Sequence, residues 1–177
     1  MEVTYKINLD DYQAYVRHAN QNSRMMRDLY RRRRYLTPLF AGWFVLTPAV
    51  LFGFDEVFVG SLIASFVLFT LFWVAGYPQL YRKQTDAYAK KILGEGRNAG
   101  FLCEHRMSID EAGLSTESEL AQARVSWAMV ERVEETKEHI FIYVASMTAY
   151  IIPKWAFDSI QKAEDFFHAA QAFQRKQ

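Results

Sequence analysis

The chain has 177 residues, with 21 Lys and Arg against 20 Asp and Glu, a formal net charge of +1 and a single cysteine. That length suits one ordinary domain, or a smaller domain carrying a membrane anchor, and one cysteine, Cys103, excludes an intrachain disulfide framework. The mean hydropathy of −0.13 hides a segregation, because residues 36–77 contain only Asp55 and Glu56 as charged side chains.

At the N-terminus, Val3, Tyr5, Ile7 and Leu9 alternate with Glu2, Thr4, Lys6 and Asn8. This is the period of a half-buried strand, and a lone strand needs a partner elsewhere in the chain. Asp10 or Asp11 is expected to cap a helix whose apolar positions Tyr12, Tyr15, Val16, Ala19, Met26, Leu29 and Tyr30 lead up to Arg31, Arg32, Arg33 and Arg34. Residues 1–35 therefore read as a strand and an amphipathic helix.

Residues 36–54 and 57–77 lack ionisable side chains, and each is close to the roughly 20 residues that cross about 30 Å of hydrocarbon as a helix. A signal peptide would start near residue 1 and end in a small-residue cleavage site. A helix at the edge of a soluble domain would keep a polar stripe, and a chain this short cannot surround two helices that are apolar all round. Both segments are thus expected to be transmembrane helices. A link as short as Asp55-Glu56 would turn them into a tight antiparallel hairpin with both chain ends on one side.

Arg31, Arg32, Arg33 and Arg34 precede the first segment, and Arg82, Lys83, Lys90 and Lys91 follow the second, while the link has no basic residue. The positive-inside rule then makes both termini cytoplasmic, with Tyr35, Trp73, Tyr77 and Tyr81 as the aromatic belt. The arginines beside a span also suit attraction to anionic lipid headgroups. Gly60, Ser61, Ala64 and Ser65 give small-xxx-small spacing for the hairpin's own contact, or for the seam of a homo-oligomer. Pro48 should kink the first span, its lost hydrogen bond tolerated through neighbouring helix contacts or Thr47. No ionisable residue lies within either span, which argues against a transporter or pump.

Residues 78–99 continue as a helical linker, stopped by Gly94 and Gly96. From Gly100 onward the period changes. "FLCEHRMSID", "GLSTES", "ARVSWAMVERVEET", "HIFIYVAS" and "TAYIIP" are short and β-rich, separated by Glu111-Ala112-Gly113 and Lys137-Glu138. Residues 159–175 return to helical period, with Ile160, Ala163, Phe166, Phe167, Ala170 and Phe173 on one face. The expectation over 100–177 is a small antiparallel sheet closed by one amphipathic helix.

The "INLDDY" start, two adjacent apolar segments, "VSWAMVERVEET", and "AYIIPKWAF" followed by an amphipathic helix together resemble the YcxB-like family of bacterial membrane proteins. The resemblance covers nearly the whole chain, and Trp127, Pro153 and Phe157 are its matching positions. It implies a bacterial membrane protein whose C-terminal cytoplasmic domain is similar to a small pleckstrin-homology-like barrel; the matching Trp127, Pro153 and Phe157, with Phe166 and Phe173 from the helical period, are its expected core, and the whole reads as a multi-pass protein of the inner membrane. It implies no catalytic residue. The fold class expected is α+β: a two-helix transmembrane hairpin plus that small antiparallel β domain with its closing C-terminal helix.

Chemistry is not advertised. The sequence has no Gly-rich phosphate loop, no Gly-x-Ser-x-Gly elbow, no His-Glu-x-x-His and no paired cysteines. His18, His105, His139 and His168 are scattered, without metal-ligand spacing. Cys103 and His105 share one face of a strand, but a nucleophile also needs an orienter and an oxyanion site. Carboxylates gather at Glu131, Glu134, Glu135 and Glu138, and again at Asp110, Glu111, Glu117 and Glu119. They read as a solvated rim or as an acidic patch for a basic protein partner, and they argue against nucleic acid.

The function expected is non-enzymatic, with no cofactor and no metal: a membrane-anchored interaction module that presents its cytoplasmic domain to a protein partner or a lipid headgroup. Two alternatives stand beside it, an immunity-type protein against a membrane-active toxin and a subunit of an oligomeric membrane channel.

Overall fold

The alternation at the N-terminus becomes strand β1 (Glu2–Lys6), with Val3 and Tyr5 buried and Glu2, Thr4 and Lys6 exposed. Its partner lies about a hundred residues away. β1 pairs antiparallel with β2 (Glu104–Asp110) in a register that sets Val3 opposite Met107 and Tyr5 opposite His105. The computed structural model describes residues 1–95, 102–119 and 121–176, so the turn calls at Gly96 and Gly100 lie outside the described residues. The chain divides into two compact units, Met1–Asn20 with Thr85–Gln177, and Gln21–Gln84.

In the first unit, β1 and β2 continue into β3 (Gly113–Ser118) and β4 (Gln122–Val125), a four-stranded sheet in sequence order. β5 (Arg132–Glu135), β6 (His139–Ala145) and β7 (Thr148–Pro153) form a second, three-stranded sheet, also antiparallel and in sequence order. The expected Glu111-Ala112-Gly113 turn is present, and its cause is local. Asp110 Oδ1 accepts hydrogen bonds from the Ala112 and Gly113 amides at 2.8 and 3.0 Å, the Asx-turn role of this residue type. Gly113 is required by proximity, because a Cβ there would overlap the Val125 carbonyl of β4. The other turn closes through Thr136, whose amide donates to the His139 carbonyl at 2.8 Å while its hydroxyl accepts the His139 amide at 3.0 Å.

β6 loses the alternation of a half-buried strand, since every residue from His139 to Tyr143 is buried. Helix α1 (Leu9–Asn22) accounts for one of its faces: Tyr15 and His18 pack on Phe141, and Tyr15 also on Tyr143. Helix α4 (Ile160–Arg175) carries Ala163, Phe166, Phe167 and Ala170 into the core, which is continuous with Trp127, Ile140, Ile142, Ile152, Met107 and Leu114. Each large apolar side chain so buried contributes about 1.5–3 kcal/mol. Ser159 caps α4 by accepting the Lys162 amide at 3.2 Å. Ile160, expected on the inner face, is 76% exposed instead, because the first helical residue lies beyond the edge of the core.

Two further expectations in this unit are corrected. The cap of α1 is neither Asp10 nor Asp11 but Asn8, whose side chain accepts the Asp11 amide at 2.9 Å while the Asp11 carboxylate accepts the Asn8 amide at 3.0 Å. This is the reciprocal logic of a capping box. The helix expected to continue from Tyr12 to the arginines is broken at Ser23, whose hydroxyl caps the next helix through the Met26 amide at 3.4 Å.

That next helix, α2 (Arg24–Leu51), runs without interruption through the arginines into the apolar segment and contains Pro38 and Pro48. It ends before Phe54, so the link comprises residues 52–55, where Gly53 takes a positive φ of 66°. Asp55 Oδ1 then caps α3 (Glu56–Gly94) by accepting the Phe58 amide at 2.7 Å. In the second unit α2 and the first part of α3 are antiparallel neighbours: Tyr30 meets Tyr77, Arg34 meets Val74 and Gly42 meets Phe66, one number falling as the other rises.

α3 is long and apolar enough to cross a membrane, and none of its most apolar stretch is buried. It is the one such helix among the described residues. The apolar part of α2, 35–51, rises about 25 Å at 1.5 Å per residue, short of the roughly 30 Å of a hydrocarbon core.

Candidate functional site

Two groups of side chains stand out from the scaffold, one at an end of the helical pair and one on the odd-numbered face of β6. In the helical unit, Arg31, Arg32, Arg33, Arg82 and Lys83 are exposed and Arg34 is half-buried. Among the described residues, none of these six lies within ion-pair distance of a carboxylate. In the other unit, by contrast, Arg17 pairs with Asp86 at 3.6 Å, Arg106 with Glu2 at 3.2 Å, Arg124 with Asp110 at 3.4 Å and Arg132 with Glu134 at 3.0 Å.

Arg34 differs from its neighbours. Its Nε donates to the Val74 carbonyl at 3.1 Å, four residues before Pro78 on α3. Proline has no amide proton, so the carbonyl four residues earlier is left without its helical donor. The guanidinium supplies that donor from the other helix. Beside it, Tyr30, Tyr77 and Tyr81 form an aromatic cluster with centroids 4.9–6.3 Å apart, extended by Trp73 at 5.6 Å from Tyr77. Sequence reasoning marked Arg34 only as one of four; the signal available was Pro78, whose orphaned carbonyl requires some partner.

The small residues expected to line the helix contact lie elsewhere. Gly60, Ser61, Ala64 and Ser65 are all exposed, and a Cβ on Gly60 would meet nothing within 4 Å. The helices approach instead at Gly42, where any Cβ would overlap the Phe66 ring. A bulky ring seated against a glycine fills the gap that small-residue stripes fill in other pairs.

On β6, His139 Nε2 and Asp11 Oδ1 are 2.8 Å apart, both side chains 6% exposed. The imidazole also stacks on Phe141 at 5.7 Å. Removing either member strands the other polar group in the core, which is more costly than never having the pair. Further along the face, His18 Nδ1 lies 3.0 Å from the Tyr143 hydroxyl and 3.6 Å from Glu134, and the Arg132 guanidinium covers the Tyr143 ring at 3.7 Å. The Tyr15 hydroxyl donates to the Met147 carbonyl. Burial pushes the Tyr143 phenol up to about 12, with Glu134 adding to the rise and Arg132 opposing it. Burial likewise lowers His18 below its ordinary 6.5, against the pull of Glu134. These groups join α1 to the second sheet through mutually satisfied polar contacts. Sequence reasoning missed the constellation because its members come from positions more than a hundred residues apart.

The remaining candidates are placed as follows. Trp127 is buried, packs on Phe173 at 5.6 Å and donates its Nε1 hydrogen to the Asp110 carbonyl at 2.7 Å. Pro153 and Phe166 are buried, and Phe157 and Phe173 are partly buried against the same core. Cys103 Sγ and His105 Nε2 are 3.7 Å apart. Of the carboxylates, Glu131 and Glu134 share the single cation Arg132, Glu135 pairs with Lys154 at 3.2 Å and Asp110 with Arg124, so these two clusters are not a bare acidic surface. An open groove of about 490 Å³ on the first sheet is lined by Arg106, Ser108, Ser115, Thr116 and Arg124, and both arginines there are already matched by Glu2 and Asp110. Among the described residues no three His, Cys, Asp or Glu side chains gather as a metal site.

A family model described as YcxB-like protein matches residues 109–170. No curated protein matches the chain. The matched segment runs from the end of β2 into α4, a smaller part of the chain than the sequence motifs implied. β1, α1 and both long helices lie outside it. Over the strands and helix of that segment, the chain is similar to the YcxB-like family.

Proposed function

We propose that this chain is a membrane-anchored, non-enzymatic interaction module, with α2 and α3 as a two-helix hairpin in the bilayer of a bacterial inner membrane. The observation that carries the reading is the exposure of large apolar side chains along both helices, among them Phe40, Trp43 and Phe44 on α2 and Val57, Leu68 and Phe72 on α3. Such a continuous apolar belt far exceeds the patches tolerated on a protein in water. The shortfall of α2 is met by Phe52 and Phe54 in the link and by local bilayer thinning, which costs little per ångström of mismatch. Both chain ends then lie on the side of the unpaired cations, the cytoplasm by the positive-inside rule.

The first unit supports a pleckstrin-homology-like reading, with four plus three antiparallel strands closed by a C-terminal helix. Its role is to present a surface to a protein partner or lipid headgroup at the membrane. The test is in-cell crosslinking of the tagged full chain beside the helical unit alone, residues 21–84, with captured species identified by mass spectrometry. A protein captured by the full chain and not by the helical unit is the expected result. Identical capture by both would remove the interaction role from the first unit.

A further inference from the structure

We propose that the basic end of the α2–α3 pair binds the phosphate of an anionic phospholipid, with Arg34 as its pre-oriented donor. The site rests on the membrane-anchored reading above and deepens it. Three observations converge. The cations Arg31, Arg32, Arg33, Arg34, Arg82 and Lys83 have no carboxylate partner among the described residues, whereas Arg17, Arg106, Arg124 and Arg132 of the other unit each have one. They stand where the exposed apolar belt begins, at Leu36, and beside the tyrosine cluster, which suits the headgroup level of a bilayer. Finally, one of them is fixed in place.

Arg34 is fixed because Pro78 leaves the Val74 carbonyl without a helical donor and Arg34 Nε takes the vacancy at 3.1 Å. Only Nε is committed by that bond. The two terminal Nη groups remain, and these form the planar fork that grips phosphate oxygens bidentately. A lysine at this position has one ammonium and cannot serve the carbonyl and a phosphate with the same geometry. The neighbouring exposed cations add long-range attraction to an anionic surface, but without a fixed direction. Arg34 is therefore a positioning and binding residue, and the site differs from a diffuse basic patch in depending on geometry at constant charge.

The test uses the full chain, extracted in detergent from washed membranes and offered an equimolar mixture of phosphatidylglycerol and phosphatidylcholine, with retained lipid read by native mass spectrometry. Wild type is expected to retain phosphatidylglycerol selectively. Arg34→Lys keeps the charge and is expected to lower retention roughly five-fold, the scale of one net hydrogen bond. Pro78→Ala, which restores the missing backbone donor and can only favour the helix, is expected to lower it in the same direction by releasing Arg34. Arg31→Gln, which removes a charge, is expected to matter less than either. Wild-type retention by both Arg34→Lys and Pro78→Ala, or losses that follow charge count alone, would overturn the site. Should Arg34→Lys fail to insert, Pro78→Ala decides. Displacement of the lipid by excess inorganic phosphate would overturn a phospholipid in favour of a free-anion site. Recovery of the chain in the soluble fraction after the membrane wash would sink the anchored reading itself, a result separable from loss of lipid selectivity in a chain that stays in the membrane.

Discussion

At His18 burial, aided by the Arg132 guanidinium, outweighs the Glu134 carboxylate and holds its pKa below the ordinary 6.5. In the unfolded chain the imidazole takes a proton as pH falls through 6.5, while in the folded chain it stays neutral to lower pH. The unfolded state therefore binds more protons in that window, and stability falls as pH falls through it. Above 6.5 the contribution is flat. His18→Gln, which keeps a hydrogen-bonding group for Tyr143, should remove this dependence. Thermal unfolding midpoints of the detergent-solubilised chain between about pH 5 and 8 should differ progressively below pH 6.5 and run parallel above it. Parallel curves throughout would mean that His18 titrates alike in both states. The Asp11–His139 pair belongs to the same polar seam but is more enclosed, and Asp11 serves twice, since its other oxygen closes the cap of α1 on Asn8. One carboxylate thus sets both where α1 starts and which strand it covers.

The elements divide by how local their causes are. β3, β6, β7 and α4 were legible because each is a β-rich run or a helical period bounded by its own turn or cap: Asp110 and Gly113, Thr136, Ser159. The stretch "ARVSWAMVERVEET" reads as one β-rich run, yet it folds as β4, a helical turn at Trp127–Met129 and β5, split between two sheets. What divides it is the burial of Trp127 and its bond to the Asp110 carbonyl, a tertiary demand that no window of sequence contains. The helix contact was misread for a related reason. Small-residue spacing marks where helices can approach, whereas the Gly42–Phe66 fit and the Arg34–Val74 bond fix which faces meet. At β3 the decisive device is proximity to a neighbouring strand. Gly113→Ala forces the new methyl group against the Val125 carbonyl, and overpacking of this kind costs about 1–3 kcal/mol. Amide hydrogen exchange should accelerate across β3 and β4, while β6 and α4 keep their protection. Unchanged exchange in β4 would mean that the strand yields without cost.

At the scale of the whole molecule, the two-span reading makes a directional prediction about access. The link at 52–55 carries no basic residue, and Phe52 is 77% exposed. In intact cells, Phe52→Cys in a Cys103→Ser background should react with a membrane-impermeant maleimide, whereas natural Cys103 should react only after the membrane is opened. Reaction of both from the same side would mean that α3, which separates the two positions, does not cross the membrane. The partition into strand-rich and helical units was largely visible in composition. The membership of β1 and α1 in the strand-rich unit was not, because pairing at a distance leaves no local trace beyond a strand that needs a partner. That pairing has a consequence in time. β1 leaves the ribosome well before β2 and finds it only after both apolar helices have been made, and at 5–20 residues per second the wait is on the order of five to twenty seconds. During it the first strand exposes an unpaired edge and the apolar side chains of Val3 and Tyr5. Completion of the sheet therefore follows synthesis of the two long helices, and a ribosome stalled between the two would leave a nascent chain whose unpaired β1 is a natural substrate for chaperones.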